Sequence, residues 1–328
     1  MLCSIFVKRI VSITLIWIVD MRFTLRQMAV FVAVARHENV SRAAGDVSLS
    51  QSATSTALAE LERLYDTQLF DRFGRSLRLN ERGQALLPQA VELLERAAAI
   101  DSVLEGRAGY GRLRIGATLT IGNYLATLIV AEFLRRHPES SVQLKVQNTA
   151  SIIEQLSQHE LDLGLVEGSC RHPDLVVEPW VADELVVFCS PGHPLAKQGS
   201  ATIAELMEQP WIVRETGSGT RETLDRALHD HRANLQIRLE LEHTEAIKRA
   251  VEYGLGIGCV SRLALLEAFR RRSLVPIATP ELDLRRHFHF LWQRRKFQTA
   301  GMREFLGLCR SLTAGVERSD RIEWPFIP

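Results

Sequence analysis

The stretch Ser50–Tyr65 has two faces that cannot exchange places. At about 100° per residue, Thr54, Ala57, Leu58, Leu61 and Leu64 gather on one side, and Gln51, Ser52, Ser55, Thr56 and Ala59 on the other. The first face must be packed. The second is short, polar and uncharged near the helix start, and it gives up helix propensity that Glu or Lys would supply on an ordinary solvated face. Upstream, Thr24 can cap a helix carrying Leu25, Met28, Ala29 and Val32 at helical spacing, and a short helix after Ser41 shows Ala43, Ala44 and Val47. Ser48-Leu49-Ser50 is a tight connection with Ser50 as N-cap. Helix, small-residue helix, turn and longer helix make a helix-turn-helix.

Such a stripe suits base edges: glutamine pairs bidentately with adenine, while Ser and Thr bond several bases or touch a thymine methyl. Candidate duplex contacts are therefore Gln51, Ser52, Ser55 and Thr56, together with Ser41, Arg42, Ser50 and Thr54. Two short extended runs around Gly74 predict a hairpin, the wing of a winged helix, on which Arg72, Arg75 and Arg78 suit phosphate contacts. Leu86, Ala90, Leu93, Ala97, Ile100 and Leu104 follow at spacings of 4, 3, 4, 3 and 4. That heptad seam predicts a pair of helices, and pairing would offer two reading helices to a pseudo-palindromic site. Gly106-Arg107-Ala108-Gly109-Tyr110-Gly111 then breaks the helix as a hinge.

The remaining two thirds alternates short apolar runs with helical patterns. Leu113–Ala117, Val142–Val146 and Leu161–Val166 read as strands of a first set, and Leu185–Ser190, Trp211–Val213, Ile237–Leu241 and Ile257–Val260 as strands of a second. The strand His287–Trp292 and a helix near Thr299–Leu312 close the chain. Alternation predicts parallel sheet in an α/β fold of two lobes joined by crossovers. Ligands in such sheets sit beyond the carboxyl ends of strands. Four loops there are rich in small hydroxyl and amide groups, and they supply Thr118, Thr120, Asn148, Thr149, Gly217, Ser218, Gly219, Thr220, Thr244 and Glu245 as candidate ligand contacts. Helix N-termini with hydroxyls bind small anions, although each hydroxyl taken singly suits a helix cap.

Composition narrows the classes. With 40 Lys+Arg against 39 Asp+Glu and a formal charge of +1, the chain is no polybasic protein holding nucleic acid by bulk charge. Five scattered cysteines without C-x-x-C spacing disfavour zinc and disulfides and suit a cytoplasmic location. The apolar run Ile10–Val19 is too short to span a bilayer and lacks a cleavage site, so residues 1–20 read as a spurious or disordered extension before Met21. Gly217-Ser218-Gly219 lacks the glycines of a nucleophile elbow, having Thr216 and Thr220 there, and His229/His231 and His287/His289 lack completing ligands. Neither an enzyme nor a resident cofactor or metal is expected.

The residues Ser41-x-Ala43-Ala44, Leu49-Ser50-Gln51-Ser52-Ala53, Leu61-Glu62, Leu69-Phe70-Asp71-Arg72 and Leu79-Asn80-Glu81-x-Gly83 resemble the DNA-binding domain of LysR-type transcriptional regulators. Departures are Ser52, where many members carry proline, and Thr56, where many carry arginine. The resemblance implies a winged helix-turn-helix over 21–81, a dimerising linker over 82–111, and a two-lobed effector domain like periplasmic binding proteins over 112–315, its second lobe about 168–284, with a tail over 316–328. It further implies homodimers or homotetramers on promoter DNA, with RNA polymerase as a further partner. Arg214-Glu215-x-Gly217-Ser218-Gly219-Thr220-Arg221-Glu222, Gly254-Leu255-Gly256-Ile257 and Glu167-Gly168 are most similar to the sulfite-responsive subgroup, which adds Glu167 to the ligand contacts and implies sulfite or another small oxyanion as effector. The rival reading is a solute-binding or sensor module with no DNA role.

Overall fold

The structure is a computed structural model describing residues 21–73, 76–104, 110–168, 170, 172–230 and 235–324. Contacts divide the chain into two compact units meeting between Ala98 and Ala99.

The first unit begins with α1 (Leu25–His37), started by a capping box between Thr24 and Gln27. Next come α2 (Val40–Asp46), capped by Asn39, and α3 (Gln51–Leu64), capped by Ser50. Strands β1 (Phe70–Phe73) and β2 (Ser76–Leu79) pair antiparallel with Phe73 opposite Ser76. Their core joins Phe31 and Val34 of α1, Ala43 of α2, Leu58 and Leu61 of α3, and Phe70, whose ring lies 5.6 Å from that of Phe31.

The 24-residue α4 (Glu81–Leu104) carries the expected seam. Ala90 is buried in the same core, and Leu86 and Leu93 pack against it. Ala90 thus belongs to its own domain, while Leu86 and Leu93 remain half-buried. Ala97 is half-buried. Ile100 and Leu104 are 59% and 78% exposed.

The second unit is built on β3 (Arg112–Ala117), β4 (Ser141–Val146), β5 (Leu163–Glu167), β6 (Leu175–Cys189), β7 (Trp211–Arg214), β8 (Ile237–Leu241), β9 (Ile257–Ser261), β10 (Val275–Ile277) and β11 (Arg285–Gln293). The order is β4-β3-β5-β11-β6-β9-β7-β8, with β10 on β6. Neighbours are parallel in β4-β3-β5 and in β9-β7-β8, but β11 and β6 run antiparallel to their neighbours. The sheet is mixed, not parallel throughout. The 15-residue β6 causes this: its first part pairs with β11 and its last part with β9 and β10, so one strand serves both lobes.

Helices cover both faces. The first lobe carries α5 (Leu119–Ile121), which continues through a π-helical segment (Gly122–Ala126) into α6 (Thr127–Arg136), and α7 (Thr149–Ser157). The second carries α8 (Pro194–Gln198), α9 (Ile203–Met207), α10 (Gly219–Ala227), α11 (Thr244–Glu252) and α12 (Arg262–Arg270). The chain then returns, and α13 (Ala300–Leu312) packs Phe305 against Phe133 of α6.

Candidate functional site

On the head, Gln51, Ser52, Ser55 and Thr56 are exposed, while Leu58 and Leu61 on the reverse of α3 are buried. Thr54 is corrected. It is 0% exposed and its hydroxyl donates to Ser50 O at 2.9 Å, so it is packing and not contact surface. Ser50 spends its hydroxyl on the cap, accepting from Ala53 N at 3.1 Å. Ser41 and Arg42 are exposed on α2. A groove of ≈ 420 Å³ gathers Ser41, Gln51, Ser55 and Ala59 with Arg72 of the wing. Asn39 and Ser76 also line it; neither was expected, since one reads as a cap and the other as a turn neighbour. Arg78 is exposed on β2, and Arg75 lies outside the described residues.

In the second unit hydrogen bonds cross between the lobes. Ala150 N donates to Gly217 O at 3.2 Å, and the Tyr124 hydroxyl donates to the Glu245 carboxylate. Lys248 Nζ donates to the same carboxylate at 2.8 Å. Burial, the hydrogen bond to Glu245 and that residue's charge push Tyr124 well above the usual phenol range. Burial alone would raise Glu245, but Lys248 and Tyr124 outweigh it and hold the carboxyl low.

Three buried polar atoms at the carboxyl ends of strands have no hydrogen-bond partner among the described residues: Thr118 Oγ1 after β3, Arg214 Nη1 at the end of β7, and Thr244 Oγ1 after β8. The other guanidinium nitrogens of Arg214 donate to Glu215 at 2.8 and 2.9 Å. An unmet buried polar atom costs about 1–3 kcal/mol, which a hydrogen-bonding ligand would relieve. Thr120 is also buried. Asn148 caps α7, accepting from Ser151 N, and Ser218 caps α10, accepting from Thr220 N.

Glu167, Thr149 and Thr220 are corrected as free ligand contacts. Glu167 is paired with Arg286 Nη2 at 2.9 Å and accepts from the Thr220 hydroxyl at 3.2 Å; Thr149 donates to its carbonyl at 3.4 Å. Arg286 also donates to Asp183 at 2.7 Å and to Thr220 at 3.0 Å, and Ser261 and Ser319 donate to Asp183. Arg286, Glu167 and Asp183 are all buried. This network ties β5, β6, β11 and the start of α10 into one joint. The carboxylate of Glu167 faces a guanidinium already, and a buried charge must be so matched. Beside it, Gly219 passes so close that a Cβ would stand 2.0 Å from Glu167 O, which requires glycine.

Among the described residues, no group of His, Cys, Asp and Glu could hold a metal. Burial pushes the Cys189 and Cys259 thiols up to about 11 and about 12.

Residues 25–84 match the family described as bacterial regulatory helix-turn-helix protein, lysR family, and residues 107–314 match the LysR substrate binding domain. The chain belongs to the LysR family of DNA-binding transcriptional regulators. It is 39% identical over 289 residues to a protein of Escherichia coli (strain K12) named "Uncharacterized HTH-type transcriptional regulator YeiE", covering 88% of this chain and 98% of that one. A full-length OxyR variant from Pseudomonas aeruginosa superposes with a TM-score of 0.69 at 19% identity, over 94% of this chain and 100% of that one, a likeness of fold. The regulatory domain of Synechocystis CcmR, in complex with 2-PG, gives a TM-score of 0.59 at 30% identity, over 63% of this chain and 99% of that one. A LysR-family head over 25–84 removes the rival reading of a sensor without a DNA role. No described helix is long and apolar enough to cross a membrane.

Proposed function

We propose that this LysR-family regulator works in the cytoplasm as a homodimer or homotetramer, reading a pseudo-palindromic promoter site with Gln51, Ser52, Ser55 and Thr56, while Arg42, Arg72 and Arg78 hold phosphates. The effector domain takes a small oxyanion, sulfite among them, between its lobes, and RNA polymerase is the further partner on the promoter. The observation that carries the effector reading is the trio Thr118 Oγ1, Arg214 Nη1 and Thr244 Oγ1, buried without partners at strand carboxyl ends. Hydroxyls and one guanidinium nitrogen donate to an oxyanion, and a ligand touching both lobes shifts the equilibrium between their arrangements by its differential affinity. The CcmR domain bound to 2-PG, a small anion, supports the same chemistry.

Calorimetry of the full chain with sulfite, sulfate, 2-phosphoglycolate and acetate tests it. One oxyanion binds, and a Thr118→Val, Thr244→Val double variant loses at least tenfold in affinity, about 1.4 kcal/mol. Silence with every oxyanion ends the reading.

A further inference from the structure

On the wing, Phe73 is 62% exposed although it belongs to the strand that supplies Phe70 to the core. Phe73 and its cross-strand neighbour Ser76 share a face with the pair Asp71 and Arg78, because residues two apart in a strand point the same way. Arg78 holds its guanidinium carbon 5.8 Å from the Phe73 ring centre. Arg72 lies in the groove with Gln51 and Ser55. Ser76, opposite Phe73, also lines that groove, so the ring borders it, with Arg78 beside the ring and Arg72 on the other face of the hairpin.

We propose that Phe73 is a minor-groove wedge. With α3 in the major groove, which admits one helix, the wing falls on the backbone and the minor groove beside the half-site. Deoxyribose walls there are apolar, and the negative potential favours a guanidinium carried alongside. Phe73 leans on the sugars and partly unstacks one base step, while Arg78 stays with the ring. Sequence dependence follows: flexible pyrimidine–purine steps bend readily under such a wedge and stiff A-tracts resist it.

The inference rests on the DNA-reading role proposed for the head, and the test separates the two. The full chain selects duplexes from random sequence, and 2-aminopurine is then placed at each position flanking the selected half-site. Wild type brightens the fluorophore at one flanking position; Phe73→Ala abolishes the rise and weakens binding about tenfold, whereas Phe73→Leu keeps both in part. Melting curves check that the variants, altered at an exposed position, remain folded. No brightening at any position, or a Phe73→Ala chain matching wild type, overturns the wedge. A changed oligomeric state in sedimentation with unchanged DNA binding assigns the ring to a protein contact and overturns it too. If wild type selects no sequence at all, the DNA-reading role itself falls, and the wedge with it.

Discussion

The head and the effector domain handle polar groups in opposite ways. On α3 the amide of Gln51 and the hydroxyls of Ser52, Ser55 and Thr56 stand in solvent, uncharged, with the core behind them. In the effector domain the informative polar groups are buried: Arg286 between two acids, and Thr118, Arg214 and Thr244 with atoms unmatched. A surface that reads bases needs only to be bare, since the duplex brings its own donors and acceptors. A site that responds to a small ligand keeps its partners desolvated, so that binding changes the energy of the fold.

The largest test of this contrast is Arg286→Met. Removing the cation leaves Glu167 and Asp183 buried without it, and about 3–5 kcal/mol of effector-domain stability is lost in urea denaturation; DNA binding by the head at low temperature persists. A mild effect would mean that the joint is solvated. Next, Gln51→Ala weakens specific duplex binding by about 1–3 kcal/mol, measured by titration against a non-specific duplex, while Arg72→Ala weakens all sequences and lowers the salt slope by about 1. Thr54→Val costs about 1 kcal/mol of head stability through its lost bond to Ser50 O and leaves base preference unaltered; a changed preference would return Thr54 to the contact surface.

The smallest effect is one of pH. Hydrogen bonds from Arg135 and then Arg136 hold the Glu132 carboxyl down at about 2. Its folded value lies below the unfolded one, about 4.3, so its contribution is complete above that value and fades as pH falls toward about 2. Glu132→Gln therefore flattens the acid limb of the stability profile. An unchanged acid limb would show the pair to be screened.

The head was legible because a helix with one packed and one bare face repeats a single period over four turns. Thr54 was the exception, since a first-turn threonine serves either face until its neighbours are known. The seam Leu86–Leu104 kept its period while its first half met its own domain, which periodicity cannot distinguish from a partner helix. In the effector domain the lobes followed from alternation, but β6 did not: its run crosses Glu178, Pro179, Asp183 and Glu184 and so hides a continuous strand. A signal for the joint was present. Leu284 just before β11 and Arg286, Phe288 and Phe290 along it alternate as buried residues, and one arginine in an otherwise apolar inward stripe announces buried acids. Which acids they are depends on contacts 103 and 119 residues away in sequence.

Gly219 carries a genetic consequence. Main chain from one lobe rests on Glu167 O of the other with no side chain between them, so a single added methyl props the lobes apart. Selections for alleles deaf to the effector should return to that codon repeatedly, and their products should still occupy the promoter.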